Sequence, residues 1–226
     1  MARLGACAIT MTARPAPARF WNTDIFAGVN AVLFLVFGLA AYYERFLQYR
    51  GRGNLHEFLI YAAFVFAIIG GAWLSLRRSQ IPSYLLIFMQ VGILAHFAGA
   101  MVPVHGKTLY EAHVLGVPYD KFVHFLNAFA GSAIVSHLFN LRVGHVTKTP
   151  VPVHPLAILT VVLGVGSVVE IVEYIVQLVM PHTGVGGYDN NMQDLIANLV
   201  GGGAFLLVRA LAPKAAAATA GVHAKA

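Results

Sequence analysis

Asp120 and His124 stand four residues apart, Glu170 and Glu173 three apart, and Asp194 and Asn198 four apart. Spacings of three and four place both members of each pair on one face of a helix. Carboxylates joined by an imidazole are the donor set of a divalent-metal centre, with Mg, Mn, Ca and Zn all admissible until geometry decides. A single divalent ion held by Asp120, His124, Glu170, Glu173 and Asp194 would polarise a phosphoryl or acyl oxygen, or activate a water. One carboxylate would be left as general base. His96, Gln193 and Asn198 are the polar side chains expected at the edge of such a site, where they would touch a bound ligand. No nucleotide or organic cofactor is expected.

The same residues admit plainer roles. Asp120 follows Pro118-Tyr119 and fits a helix N-cap, as does Asp194. His124 alone fits a hydrogen-bonded interior histidine. Glu170 and Glu173 lie within an apolar run, where a capping role is unavailable. Four neighbouring carboxylates repel unless they are protonated, paired with a cation or bound to a metal. Lys121 is the nearby basic residue, and its position next to Asp120 is expected to turn it to a different helix face. The balance of the cluster is then negative, which favours a bound cation.

The elements that must carry these residues are apolar. Of the 226 residues, 58% are hydrophobic and 11% charged, with a mean hydropathy of +0.72. Soluble domains carry about 25% charged residues. Several apolar stretches reach roughly 20 residues, enough to cross a bilayer core. The expected architecture is an all-α polytopic membrane bundle of six transmembrane helices. These cover about residues 25–43, 58–76, 82–104, 120–141, 155–179 and 191–211. Residues 1–23 read as a flexible cytoplasmic tail, 24–212 as the membrane domain with its motif-bearing half at 119–203, and 213–226 as a disordered Ala-rich tail. Cys7 is the single cysteine, so no internal disulfide forms.

The net charge of +6 reflects basic residues at the ends of apolar segments, where they set topology and meet anionic lipid. No basic stripe interleaved with aromatics is present, so no nucleic-acid partner is expected. With the N-terminus inside, inner segments hold ten of the fifteen Lys and Arg residues. Both termini are therefore expected in the cytoplasm. Antiparallel threading brings the three polar pairs, and His96, to one side of the membrane, the outer leaflet under this orientation. A charge in hydrocarbon costs at least a few kcal/mol, so such residues face protein or water and mark function.

The residues also carry a family resemblance. Asp120-Lys121-Phe122-Val123-His124-Phe125 resembles the D-K-x-x-H-F motif of VanZ-like membrane proteins, and Asp194 to Gly201 resembles their D-x-x-x-N-x-x-G ending. Glu170-x-x-Glu173, followed by Tyr188-Asp189 and Gln193-Asp194, is closer to the related YjdF-like inner-membrane family. The second acidic position is often Gln in VanZ-like proteins, and the loop before Tyr188 here is shorter and richer in glycine. The resemblance covers Tyr119 to Gly203. It implies a multi-pass protein of the bacterial inner (cytoplasmic) membrane and supplies no reaction.

Three functions fit these expectations. The first is a metal-dependent enzyme acting on a lipid or lipid-linked substrate. The second is a protein that binds or transports a small solute coupled to protons or cations, with homo-oligomerisation compensating for few spans. The third is an accessory protein in which the cluster only joins helices.

Overall fold

The computed structural model describes residues 21–37, 43, 55–104, 107–147, 155–179 and 187–223. Within them lie six helices: α1 (Asn22–Leu33), α2 (Leu55–Leu76), α3 (Ser83–Met101), α4 (Tyr119–Thr147), α5 (Pro155–Val179) and α6 (Tyr188–His223). A π-helical turn prolongs α1 through Phe37. Among the described residues, three segments are long and apolar enough to cross a membrane: Tyr119–Leu141, Pro155–Ile175 and Tyr188–Ala212. Asn22–Phe37, Val65–Leu76 and Ser83–Gly99 are shorter apolar helices.

The helix starts follow from local chemistry. Pro82 precedes α3 in an extended conformation, and Pro155 opens α5, where its missing N–H has no helical partner to lose. Asp120 and Asp189 place negative charge in the first turns of α4 and α6, at the positive ends of their dipoles. α6 continues past Pro213 through the Ala-rich segment to His223. Of the expected N-terminal tail, residues 1–20 fall outside those described, while Asn22 and Thr23 already belong to α1; residues 38–42 of the first span and the glycine-rich loop around His182 also fall outside them.

The connector before α4 is not plain loop, as an all-α reading has it. It holds two short antiparallel ribbons, β1 (Pro103–Val104) with β2 (Lys107–Thr108), and β3 (His113–Val114) with β4 (Val117–Pro118), separated by a 3-10 turn at Leu109–Glu111. Leu115 and Gly116 turn the second ribbon with φ of 52° and 82°. Positive φ at both central positions is the primed hairpin geometry that suits right-twisted strands. Two-residue strands are too short for alternation to reveal in sequence.

Packing divides the bundle. α1 pairs with α2, α3 links α1 to α4, and α4, α5 and α6 contact one another, most extensively α4 with α6. The apolar core of Ile81, Leu85, Leu86 and Ile134 joins α3 to α4, with Phe26 of α1 packed against it. α4 and α6 touch at backbone level: a Cβ on Gly201 would overlap the Phe125 carbonyl oxygen. A Cβ on Gly202 would meet Leu159 of α5 at 2.8 Å. Two adjacent glycines thus seat α6 against both neighbours, a small-residue contact suited to lipid, where the hydrophobic effect does not drive helices together.

Polar contacts join the first three helices. Asn30 and Gln90 exchange amide hydrogen bonds of 2.9 and 3.1 Å between α1 and α3. At the start of α1, Asp24 accepts from the Trp21 main-chain N–H at 3.0 Å and the Trp73 indole at 2.7 Å, and pairs with Arg77 at 3.2 Å. The Arg77 guanidinium also lies 4.7 Å above the Trp73 ring centre. This cluster ties α1 to the end of α2.

Candidate functional site

His124 stands one turn into α4, Glu170 near the exit of α5 and Asp194 in the second turn of α6. Antiparallel connection brings all three to the same end of the bundle. His124 Nε2 is 3.5 Å from Asp194 Oδ1, and its Nδ1 is 3.6 Å from Glu170 Oε1. Both separations exceed a good hydrogen bond. One ligand atom from each residue lies within 4.8 Å of the others. Glu170 is 4% exposed and Asp194 1%.

Asp194 is well satisfied. Its Oδ1 accepts from Lys121 Nζ at 2.8 Å and its Oδ2 from Asn190 Nδ2 at 2.7 Å. The Lys121 ammonium also reaches Asp120 Oδ2 at 3.0 Å, Asn190 Oδ1 at 2.8 Å and the Asn190 carbonyl at 3.2 Å. The expectation that Lys121 faces away is therefore wrong. Lys121 stands one turn before Phe125, whose backbone touches Gly201, so it lies on the α4 face that meets α6, and only 8% of the residue stays exposed. Lys121 acts as an internal counter-ion for Asp120 and Asp194. The negative balance drawn from sequence consequently falls mainly on the glutamates.

Glu170 has no such partners. Both of its carboxylate oxygens are buried without a hydrogen bond. Its main-chain carbonyl accepts from Asn191 Nδ2 at 3.0 Å, while Asn191 Oδ1 is itself buried and unpaired. Unsatisfied buried acceptors are few in native proteins, and each calls for a specific explanation.

The remaining candidates surround this centre unequally. Asn198 is buried and interacts with the His124 ring. Its amide lies against Gly166, where a Cβ would meet Nδ2 at 2.7 Å. Glu173, one turn beyond Glu170, is partly buried and within electrostatic reach of Asp194 and Asp120, yet it lies outside the three-residue cluster. Gln193 is exposed, since its step from Asp194 turns it off the α5-facing side. His96 bonds through Nδ1 to the Tyr110 hydroxyl, and Tyr119 donates to the Ala95 carbonyl at 3.2 Å. Through these contacts the β-ribbon segment is fastened onto α3 beside the centre.

Sequence reasoning missed Asn190 and Asn191, and the role of Lys121. A signal for the asparagines exists: Asn190 and Asn191 precede Asp194 by four and three residues, on its own helix face. His124 nitrogen and two carboxylate oxygens form a three-ligand set of the kind that leaves positions open for water or substrate on a metal.

Apolar helices long enough to span a bilayer, around a buried ionisable cluster, define an integral membrane protein of the helical-bundle class. The chain belongs to the family described as "Predicted membrane protein (DUF2238)", which matches residues 7–214. That match takes in the first three helices as well as the motif-bearing half. No curated protein and no solved structure matches the chain.

Proposed function

We propose that this is a six-pass inner-membrane protein of the YjdF/VanZ-like type, with both termini cytoplasmic, whose polar cluster near the outer bilayer face holds one divalent metal ion. The ligands are His124, Glu170 and Asp194. One observation carries this reading: a fully buried carboxylate, Glu170, lacks any hydrogen-bond donor while facing an imidazole and a second carboxylate. A buried charge is maintained only when paired or bound to a metal. Three protein ligands leave room for a water and a substrate oxygen, so the chemistry best supported is metal-assisted hydrolysis or transfer on a lipid or lipid-linked substrate. Glu173, one turn away, is the candidate general base.

Elemental analysis of the full chain purified in detergent tests the proposal. The expected result is one divalent metal per chain, lost in Glu170→Gln. Protein that stays metal-free after loading overturns it. A second reading is favoured by the saturation of Asp194: with both its oxygens already engaged, the His124–Glu170 pair becomes the group that takes up a proton or cation during solute movement. Proton-coupled uptake in vesicles, lost in Glu170→Gln and indifferent to chelators, would favour this alternative.

A further inference from the structure

Lys121 and the amides of Asn190 and Asn191 each already donate to an acceptor. The Lys121 ammonium has three N–H groups and four acceptors within 3.2 Å. The Asn190 amide donates to Asp194 Oδ2, and the Asn191 amide to the Glu170 carbonyl. The Asn191 contact also fixes its amide orientation, because a flipped Oδ1 would confront a carbonyl oxygen. Three buried oxygens therefore remain unpaired on two touching residues: Glu170 Oε1, Glu170 Oε2 and Asn191 Oδ1. Asn191 and Asp194, three apart on α6, share the face that meets α5. Three unpaired oxygens on adjoining residues disfavour a bare phosphate or carboxylate, which would add acceptors to acceptors. They suit a cation.

We propose that Asn191 is a further ligand of this centre, and that the centre is oxygen-dominated and built for a hard divalent cation of the Mg²⁺, Mn²⁺ or Ca²⁺ kind. This rests on the metal reading above and adds to it the donor set. Glu170, Asp194 and Asn191 contribute oxygens, and His124 contributes the one nitrogen. Carboxylate and amide-carbonyl oxygens suit hard cations, which sites rich in imidazole or thiolate bind poorly. Lys121 does not obstruct the ion. If Asp194 Oδ1 turns to the metal, Asp120 Oδ2, Asn190 Oδ1 and the Asn190 carbonyl still satisfy all three ammonium protons.

Mn²⁺ is the probe, titrated by electron paramagnetic resonance into the chelator-stripped full chain in detergent. Affinity alone would rank Zn²⁺ above Mn²⁺ at almost any site. Hardness is therefore read by whether excess Mg²⁺ or Ca²⁺ displaces the bound Mn²⁺, as expected here. Asn191→Leu should weaken Mn²⁺ binding by about tenfold or more, the least that loss of supporting shell groups costs. Asn191→Asp keeps an oxygen and removes the amide donor, and should bind Mn²⁺ at least as tightly as wild type. Circular dichroism and monodisperse elution report whether each variant folds.

Equal weakening in the Leu and Asp variants would assign Asn191 to holding the Glu170 backbone and overturn its role as ligand. So would unchanged binding in Asn191→Leu. Mn²⁺ that resists excess Mg²⁺ and Ca²⁺ overturns the hard-cation assignment. Wild-type protein binding no Mn²⁺ overturns this inference, and the metal reading falls with it only if elemental analysis also finds no other divalent metal. Binding lost in Glu170→Gln but kept in Asn191→Leu leaves the metal reading intact.

Discussion

Asp24 and Glu170 are both acidic residues placed against apolar helices, and the fold treats them in opposite ways. Asp24 sits at the mouth of α1, with a main-chain N–H, an indole and a guanidinium converging on its two oxygens. Glu170 lies deep on α5, and neither oxygen accepts a bond. Asp194 falls between them, equally buried but fully engaged by Lys121 and Asn190. An acid that fastens helices is supplied with donors by its own fold. One left without them must be neutralised by a proton or by a bound cation. Under the proposed reading, the first three helices would serve as scaffold and the α4–α6 half would carry the site.

The largest effect that can break this contrast belongs to Lys121. Lys121→Met strands Asp120 and Asp194 without their cation, and removing one partner of a buried pair costs about 3–5 kcal/mol. Thermal unfolding in detergent should show a steep loss of stability, and a variant as stable as wild type would mean that the carboxylates are not held by Lys121. Glu170→Gln should move the other way. Its carboxylate carries an unmet desolvation cost of about 1–3 kcal/mol, so the metal-free variant should unfold later than metal-free wild type. Destabilisation there would place Glu170 among the fasteners, with Asp24.

Gly201→Ala probes the seam that brings Asn190 and Asp194 to Lys121 of α4. Its Cβ would overlap the Phe125 carbonyl oxygen, and overpacking of this sort costs about 1–3 kcal/mol. Reduced Mn²⁺ binding alongside reduced thermal stability is expected. Stability unchanged from wild type would show that the two helices separate without penalty.

The smallest effect concerns Asp24, which precedes the first apolar run. The Trp21 main-chain N–H and then the Trp73 indole hold its carboxyl below the ordinary aspartate range; burial pushes it back up, and the Arg77 guanidinium lowers it further. A depressed folded-state value stabilises the protein at pH above the unfolded value. That contribution is lost as pH falls through the folded value. It should therefore be complete at neutral pH and fade below about pH 4. Arg77 is half exposed, so salt should shrink the effect. Asp24→Asn should flatten this acid limb, whereas an unaltered limb would assign it to other carboxylates.

Much of this was legible in the residues. Unbroken apolar runs set the helices because, in lipid, a backbone must satisfy its own hydrogen bonds. Pro155 and Val179 bound α5 where the sequence puts them. Spacings of three and four, with an alternating chain direction, required that His124, Glu170 and Asp194 share one end of the bundle. What one-dimensional periodicity does not contain is where a long side chain finishes and which donors are already committed. Lys121 ends among Asp120, Asn190 and Asp194 because the α4 face it shares with Phe125 is the one that packs on α6 at Gly201, which spacing within α4 alone does not reveal. Only the packed helices determine that Asp194 is satisfied and Glu170 is not, since that difference depends on which neighbouring helix brings a donor within reach.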